Sequence, residues 1–326
     1  MRKIMQAATL AAASLAATAP ALAGNGPDGY PTRPVTLVVP FAPGGGSDNI
    51  ARYMAARLNE RTGGTVIIDN RPGAGTNIGN EFAARAKNDG YTLLFGQVTL
   101  AINPFVYKSL RYSVDQDFVP VAHIANSPTV LLVNASLAAR DVRSFVAYVQ
   151  QHPREVNYGS GGAGTSVHLA GSLFNTQARL NMAHVPYKGS GPAMADLMGG
   201  QIQAIFDTAP SAMPQLGGGK VRALAITGPR RLDAAPDVPT FAEAGFPEFD
   251  APAWYGILAP AGTAAAQIQY LNEQVNQILQ EPETRKRLAQ LGSVAVGGTP
   301  QAFGTFIQQE SKRWQAVIQA AKVSLD

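Results

Sequence analysis

The stretch from Val35 to Leu58 constrains this chain more than any other. Val35–Val39 is a short apolar run rich in β-branched residues, bounded by Pro34 and Pro40, and reads as a buried strand. Ile50, Tyr53, Met54, Arg57 and Leu58 recur at helical spacing until Gly63-Gly64 stop them. Between the two lies Pro43-Gly44-Gly45-Gly46-Ser47-Asp48. Its glycines let the backbone turn tightly and let a ligand approach bare amides, and Ser47 or Asp48 is expected to cap the helix. A strand that turns through glycine into a helix leaves free N–H groups at a positive dipole end, which is an anion site.

The chain repeats the device. Val156-Asn157-Tyr158 leads into Gly159-Ser160-Gly161-Gly162-Ala163-Gly164-Thr165-Ser166, and Val167, Leu169, Ala170, Leu173 and Phe174 follow as a helix face. One cradle per half of the chain predicts a ligand held between two lobes. Neither loop carries Arg or Lys. A bound carboxylate is therefore expected to be held by backbone amides, hydroxyls and water.

The rest of the chain alternates strands and helices, which predicts α/β layers on parallel sheets. Thr65–Asp69 and Tyr91–Phe95 are strands, and Ala122–Ala135 reads as a crossover between lobes. Ala204–Phe206 and Val221–Ile226 are strands of the second lobe, and Trp254–Leu258 is a return strand. Thr263 is expected to cap the helix carrying Ile268, Leu271 and Val275, and Thr299-Pro300 to open the last one. The resulting division is a leader over 1–23, a first lobe over 24–125, a second over 126–253, and a return strand with terminal helices over 254–326 that pack across the lobes.

The leader follows from Arg2-Lys3, the alanine-rich run to Thr18, and Ala21-Leu22-Ala23 as a small-x-small cleavage site. Removing it leaves 326 − 23 = 303 residues, with 24 basic against 22 acidic side chains. That near balance argues little for nucleic acid or acidic membranes as partners. No cysteine occurs, which excludes disulfides, thiolate metal sites and a lipoprotein anchor. The four histidines, 123, 152, 168 and 184, form no HxH or HExxH pair, so neither a metal nor a cofactor is expected. His168 either faces the ligand or hydrogen-bonds its loop. Asp207 ends an apolar strand, where open sheets place ligand contacts, or else caps the following segment.

Taken in order, P-F-A-P-G-G-G-S-D, R-P-G-A-G-T-N-I-G with D-G-Y-T-L-L, A-I-N-P, Y-G-S-G-G-A-G-T-S-V-H-L-A-G, V-P-Y-K-G, W-Y-G-I-L-A-P-A-G-T and T-P-Q-A-F resemble the periplasmic receptors of tripartite tricarboxylate transporters, the TctC or Bug family. The resemblance spans Tyr30 to Val323. It implies a two-lobed Venus flytrap with crossing hinge strands, a monomer in the periplasm that binds a small carboxylate and serves the membrane subunits of a transporter. It implies ligand contacts from Phe41, Ala42, Gly44, Gly45, Ser47 and Asp48 in the first loop. Ser160, Gly161, Gly164, Thr165 and His168 come from the second, with Thr76 and Asn77 from a third; Asp207 is added to this set by its place at a strand end and not by the resemblance. Gln97-Val98 departs from the small hydroxyl residues of many relatives. The rival readings are a receptor that presents its ligand to a sensor protein and a secreted enzyme acting on carboxylates. The enzyme would need a nucleophile–base pair or a metal, and neither has plausible spacing here.

Overall fold

The computed structural model describes residues 25–153 and 155–321, so the leader lies outside the described residues. The first part of the chain runs β1 (Val35–Val39), α1 (Gly46–Thr62), β2 (Val66–Asn70), α2 (Asn77–Ala84), β3 (Thr92–Gln97), α3 (Thr99–Val106), α4 (Val114–Asp117) and β4 (Phe118–Ser127). The second runs β5 (Thr129–Asn134), α5 (Val142–Gln151), β6 (Asn157–Ser160), α6 (Ser166–Ala178), β7 (Ala183–Pro186), α7 (Ser190–Met198), β8 (Ala204–Thr208), α8 (Ala209–Ala212) and β9 (Val221–Ile226). The chain then returns through β10 (Ala253–Pro260), α9 (Ala265–Gln280), α10 (Pro282–Gln290), β11 (Val294–Ala295) and α11 (Pro300–Ala321).

These strands form two sheets, ordered β11-β4-β10-β3-β1-β2 and β7-β6-β8-β5-β9. Each sheet is the core of one lobe of a two-lobed α/β fold. The chain crosses between them twice, from β4 to β5 through Ser127-Pro128 and from β9 back to β10. The sheets are mixed, not parallel throughout. β10 runs antiparallel to both β3 and β4, and β5 runs antiparallel to β8 and β9. The reason is the crossings: a strand that carries the chain out of one sheet and a strand that brings it back must run in opposite directions.

The β1 run is buried because both of its faces are covered. Leu37 and Val39 join Phe95, Ile50 and Met54 on the face packed by α1 and α9. Val38 joins Leu94 in a second core that continues into the other lobe through Leu131 and Phe206. A central parallel strand covered on both sides reads as a continuous apolar run, as this one does. The terminal helices pack on the first sheet, α9 and α11 both against β4. Thr263 does not cap α9. Its hydroxyl donates to Pro260 O at 2.7 Å, and Ala264 is the N-cap. Thr299 does cap α11, accepting from Ala302 N–H at 3.1 Å.

Candidate functional site

Both glycine loops end at the boundary between the lobes and face one another. Gly44 adopts φ +87°, a left-handed turn that an L side chain resists. Gly45 is the N-cap of α1 in extended conformation, and no side chain caps the helix, so the expected cap by Ser47 or Asp48 is not made. Both residues already lie inside the first turn. The Ser47 hydroxyl points to Gln97 Oε1 at 3.5 Å. Asp48 turns back to accept from Gly44 N–H at 3.0 Å, from Asn70 Nδ2 at 3.0 Å and from Arg52 Nε at 2.9 Å. Burial opposes its ionisation, but the hydrogen bonds from Arg52, Gly44 and Asn70 outweigh it and hold the carboxyl below the usual carboxylate range. Asp48 therefore braces the loop, and its charge is spent on Arg52. Asp48→Ala is expected to lower stability by about 2 kcal/mol, from the loss of charge-assisted bonds to a buried carboxylate. Urea unfolding at pH 7 measures this.

The second loop is braced in the same way. The Ser160 hydroxyl bonds Gly162 N–H and Gly162 O, each at 3.1 Å, and His184 Nε2 at 2.7 Å. Thr165 is the N-cap of α6, accepting from His168 N–H at 3.4 Å and donating to Gly162 O at 2.7 Å. His168 Nδ1 accepts from Gly164 N–H at 3.2 Å, and its ring stacks on His184 at 4.0 Å between centroids. Of its two expected roles, the ring thus fills the one of holding its loop. Burial depresses His168 to about 4.

These braces change which amides are available. Gly44, Gly162, Gly164 and Thr165 use their N–H groups inside their own loops. The first helical bonds are Asn49 N–H to Gly45 O and Leu169 N–H to Thr165 O. The amides of Gly46 and Ser47 in one lobe, and of Ser166 and Val167 in the other, precede those bonds and have no helical acceptor. Together with Gly161, these residues surround one interlobe cavity of about 20 Å³, which Phe41, Gln97, Ser190 and Thr208 complete. No charged side chain lines it. Two helix N-termini, of 17 and 13 residues, thus aim at a single buried point. An anion there meets two positive dipole ends in a low-dielectric setting.

Other predicted residues lie around this point. Ala42 N–H donates to Lys188 O at 2.9 Å across the cleft. Asn49 Nδ2 donates to Pro210 O at 3.1 Å, and Tyr107 OH to Ala163 O at 3.2 Å, so the lobes are in contact on this side. Thr76 lines a second cavity of about 210 Å³, with Gly73, Tyr107, Ala163 and Lys188. Gly161 borders both cavities. Asn77 is turned inward, its Oδ1 accepting from Asn103 Nδ2 at 2.7 Å and Tyr112 OH at 2.8 Å.

Asp207 is fully buried behind the floor of the cleft. Its Oδ1 accepts from Ser190 Oγ at 2.5 Å and Thr208 N–H at 2.8 Å, while Oδ2 has no partner. Burial pushes the carboxyl up to about 6. It does not cap the next segment, because Thr208 is the N-cap of α8. It reaches the cavity through Ser190, whose hydroxyl it holds. Gln97, Ser190, Thr208 and Ser166 were absent from the sequence-based set. Gln97 and Thr208 end β3 and β8, so the strand-end rule that flagged Asp207 could have found both.

Residues 50–323 match the family model of the tripartite tricarboxylate transporter family receptor. The chain belongs to this family. It is 38% identical over 313 residues to the protein BugT of Bordetella pertussis, covering 95% of each chain. The solved structure of Rhodopseudomonas palustris Rpa4515 with adipate superimposes with a TM-score of 0.88 at 37% identity, over 90% of this chain and 99% of that one. MatC of Rhodopseudomonas palustris with bound malate gives 0.84 at 34% identity, over 89% and 100%. Family membership makes the chain a solute-binding receptor. Among the described residues no helix is long and apolar enough to cross a membrane.

Proposed function

We propose that this receptor binds a small organic carboxylate between its two glycine loops and delivers it to the membrane subunits of a tripartite tricarboxylate transporter. The observation that carries the reading is the convergence of the α1 and α6 N-termini on one cavity without charged side chains. One ligand carboxylate sits where the amides of Gly46, Ser47, Ser166 and Val167 meet. The remainder of the ligand extends past Gly161 towards the larger cavity beside Thr76 and Tyr107. That two relatives hold adipate and malate supports a carboxylate of this size. The role proposed is binding without turnover, in keeping with the receptor family to which the chain belongs.

Native mass spectrometry of the protein as purified identifies an acid carried through purification. Calorimetric titration with that acid, or with adipate and malate, then gives saturable one-to-one binding. Small-angle scattering is expected to show a smaller radius of gyration on saturation, because neither loop encloses a ligand alone. No binding to any mono-, di- or tricarboxylate would sink the proposal. The Arg2-Lys3 leader adds that the exported protein begins at or near Gly24. N-terminal sequencing of the periplasmic protein that returned Met1 would refute this.

A further inference from the structure

Ser190 differs from the amides around the inner cavity in the direction of its hydrogen bonding. It opens α7 directly after Gly189, whose φ of +150° turns the chain at the cleft. A Cβ on Gly189 would stand 3.0 Å from Ala42 N of the other lobe, so close interlobe packing fixes where Ser190 sits. Ser190 is half-buried and lines the inner cavity. A carbon atom on Gly161, which borders both cavities, would stand 3.6 Å from Ser190 Oγ. The hydroxyl therefore lies where a ligand chain leaves the bound carboxylate and passes towards the larger cavity.

Its proton is already committed. Behind it Asp207 ends β8, which runs between β6 and β5 in the second sheet, and its carboxyl is fully buried. Ser190 Oγ donates to Asp207 Oδ1 at 2.5 Å, the length of a charge-assisted bond between a hydroxyl and a carboxylate. Burial raises Asp207 only to about 6, so the carboxyl is ionised at pH 7.5. An ionised carboxylate only accepts, and the hydroxyl must donate to it. Among the described residues no donor reaches Ser190 Oγ, and its lone pairs are left for the cavity. The amides of Gly46, Ser47, Ser166 and Val167 offer donors to a carboxylate, whereas Ser190 offers an acceptor beside it. An unsubstituted acid sets C–H against this oxygen. A donor on the adjoining carbon pairs with it.

We propose that Ser190 is a specificity-determining residue that selects acids with a hydrogen-bond donor on the carbon next to the bound carboxylate, namely 2-hydroxy acids, and that Asp207 is the residue positioning its hydroxyl. This rests on the placement of the carboxylate between the N-termini of α1 and α6. An ammonium on the same carbon offers the same donor, but no charged side chain lines the cavity to offset its desolvation.

Succinate, malate and aspartate share one carbon skeleton and differ at C2, which carries hydrogen, hydroxyl or ammonium. Calorimetric titration of the mature protein at pH 7.5 is expected to give the tighter malate enantiomer about tenfold stronger binding than succinate, with aspartate weaker than malate. Ser190→Ala should remove the difference between malate and succinate. Asp207→Asn leaves an uncharged acceptor and frees the hydroxyl to turn to the ligand, so the ratio should fall to about threefold. A role limited to bracing α7 against β8 would change both affinities by the same factor and leave the ratio alone. Equal binding of succinate and malate by the wild-type protein overturns the selection. An unchanged ratio in folded Ser190→Ala overturns Ser190 as its origin, and one in folded Asp207→Asn overturns the positioning. Aspartate binding more tightly than malate overturns the choice of hydroxyl. Failure of all three acids to bind overturns this inference together with the carboxylate placement beneath it.

Discussion

Gly46→Val is expected to weaken carboxylate binding about 100-fold or more while leaving the protein folded. A Cβ at this position would stand 2.5 Å from Thr208 Oγ1 and 3.2 Å from Ser211 N, both from the facing lobe, and 3.2 Å from Tyr255 OH of β10 in its own lobe. The side chain therefore holds the loops apart, and the ligand is left with the donors of one helix. Losing two charge-assisted bonds of about 1.5 kcal/mol each gives roughly that factor. Gly45→Val is the milder companion. Gly45 has an ordinary φ of −88°, and its Cβ would lie 3.2 Å from the Ser190 Cβ. About tenfold is expected there. Calorimetry with the acid identified from the purified protein, alongside circular dichroism, decides the matter. A folded Gly46→Val protein that binds as tightly as wild type would show that the acid sits elsewhere.

Stability is expected to fall as pH drops from about 6.5 towards 4. Burial depresses His123 and His168 to about 4 each, and His184 to about 3, where the neighbouring His168 adds to the effect. The unfolded chain takes up these protons near the ordinary histidine value, and the folded one resists. The contribution of each is present above pH 6.5 and is lost as pH falls through the folded value. Each of the first two is worth about 3 kcal/mol. Asp207 acts with the opposite sign. Raised to about 6 by burial, it stabilises the fold below the ordinary carboxylate value, and that contribution disappears as pH rises through 6. Its share of about 3 kcal/mol offsets one histidine. A net loss of at least about 3 kcal/mol remains by pH 4, with His184 adding to it. Urea midpoints at pH 7, 5.5 and 4.5 test the direction, and a flat profile would contradict it. His168→Asn should flatten part of the slope, since a neutral amide replaces the titrating ring.

The two cradles were legible in the sequence because they are local. A β-branched run, a cluster of glycines and a helical period fall within about twenty residues each, and every one of those signals has a short-range cause. The identity of the free amides was not legible. Whether Gly44 N–H faces a ligand or Asp48 depends on a rotamer fixed by Arg52 and Asn70, and Asn70 sits at the end of the neighbouring strand. Gly164 N–H is taken by a histidine one turn into α6, and that ring is oriented by stacking on His184 from β7. Such choices are made by packing between elements, which no periodicity reports.

By itself the sequence determined the two strand–glycine–helix units, the α/β character and the family, since each rests on residues close in the chain or on motifs in a fixed order. Only the tertiary structure decided that β10 enters the first sheet between β3 and β4, and that β5 enters the second between β8 and β9. Those pairings join residues far apart in the chain, such as Tyr255 with Gln97 and Val130 with Asp207. They bring Gln97, Ser190 and Thr208 from three strand ends and loops to one cavity. The physical reason is that hydrogen bonds between strands, and the burial of both sheet faces, are set by which elements meet in space.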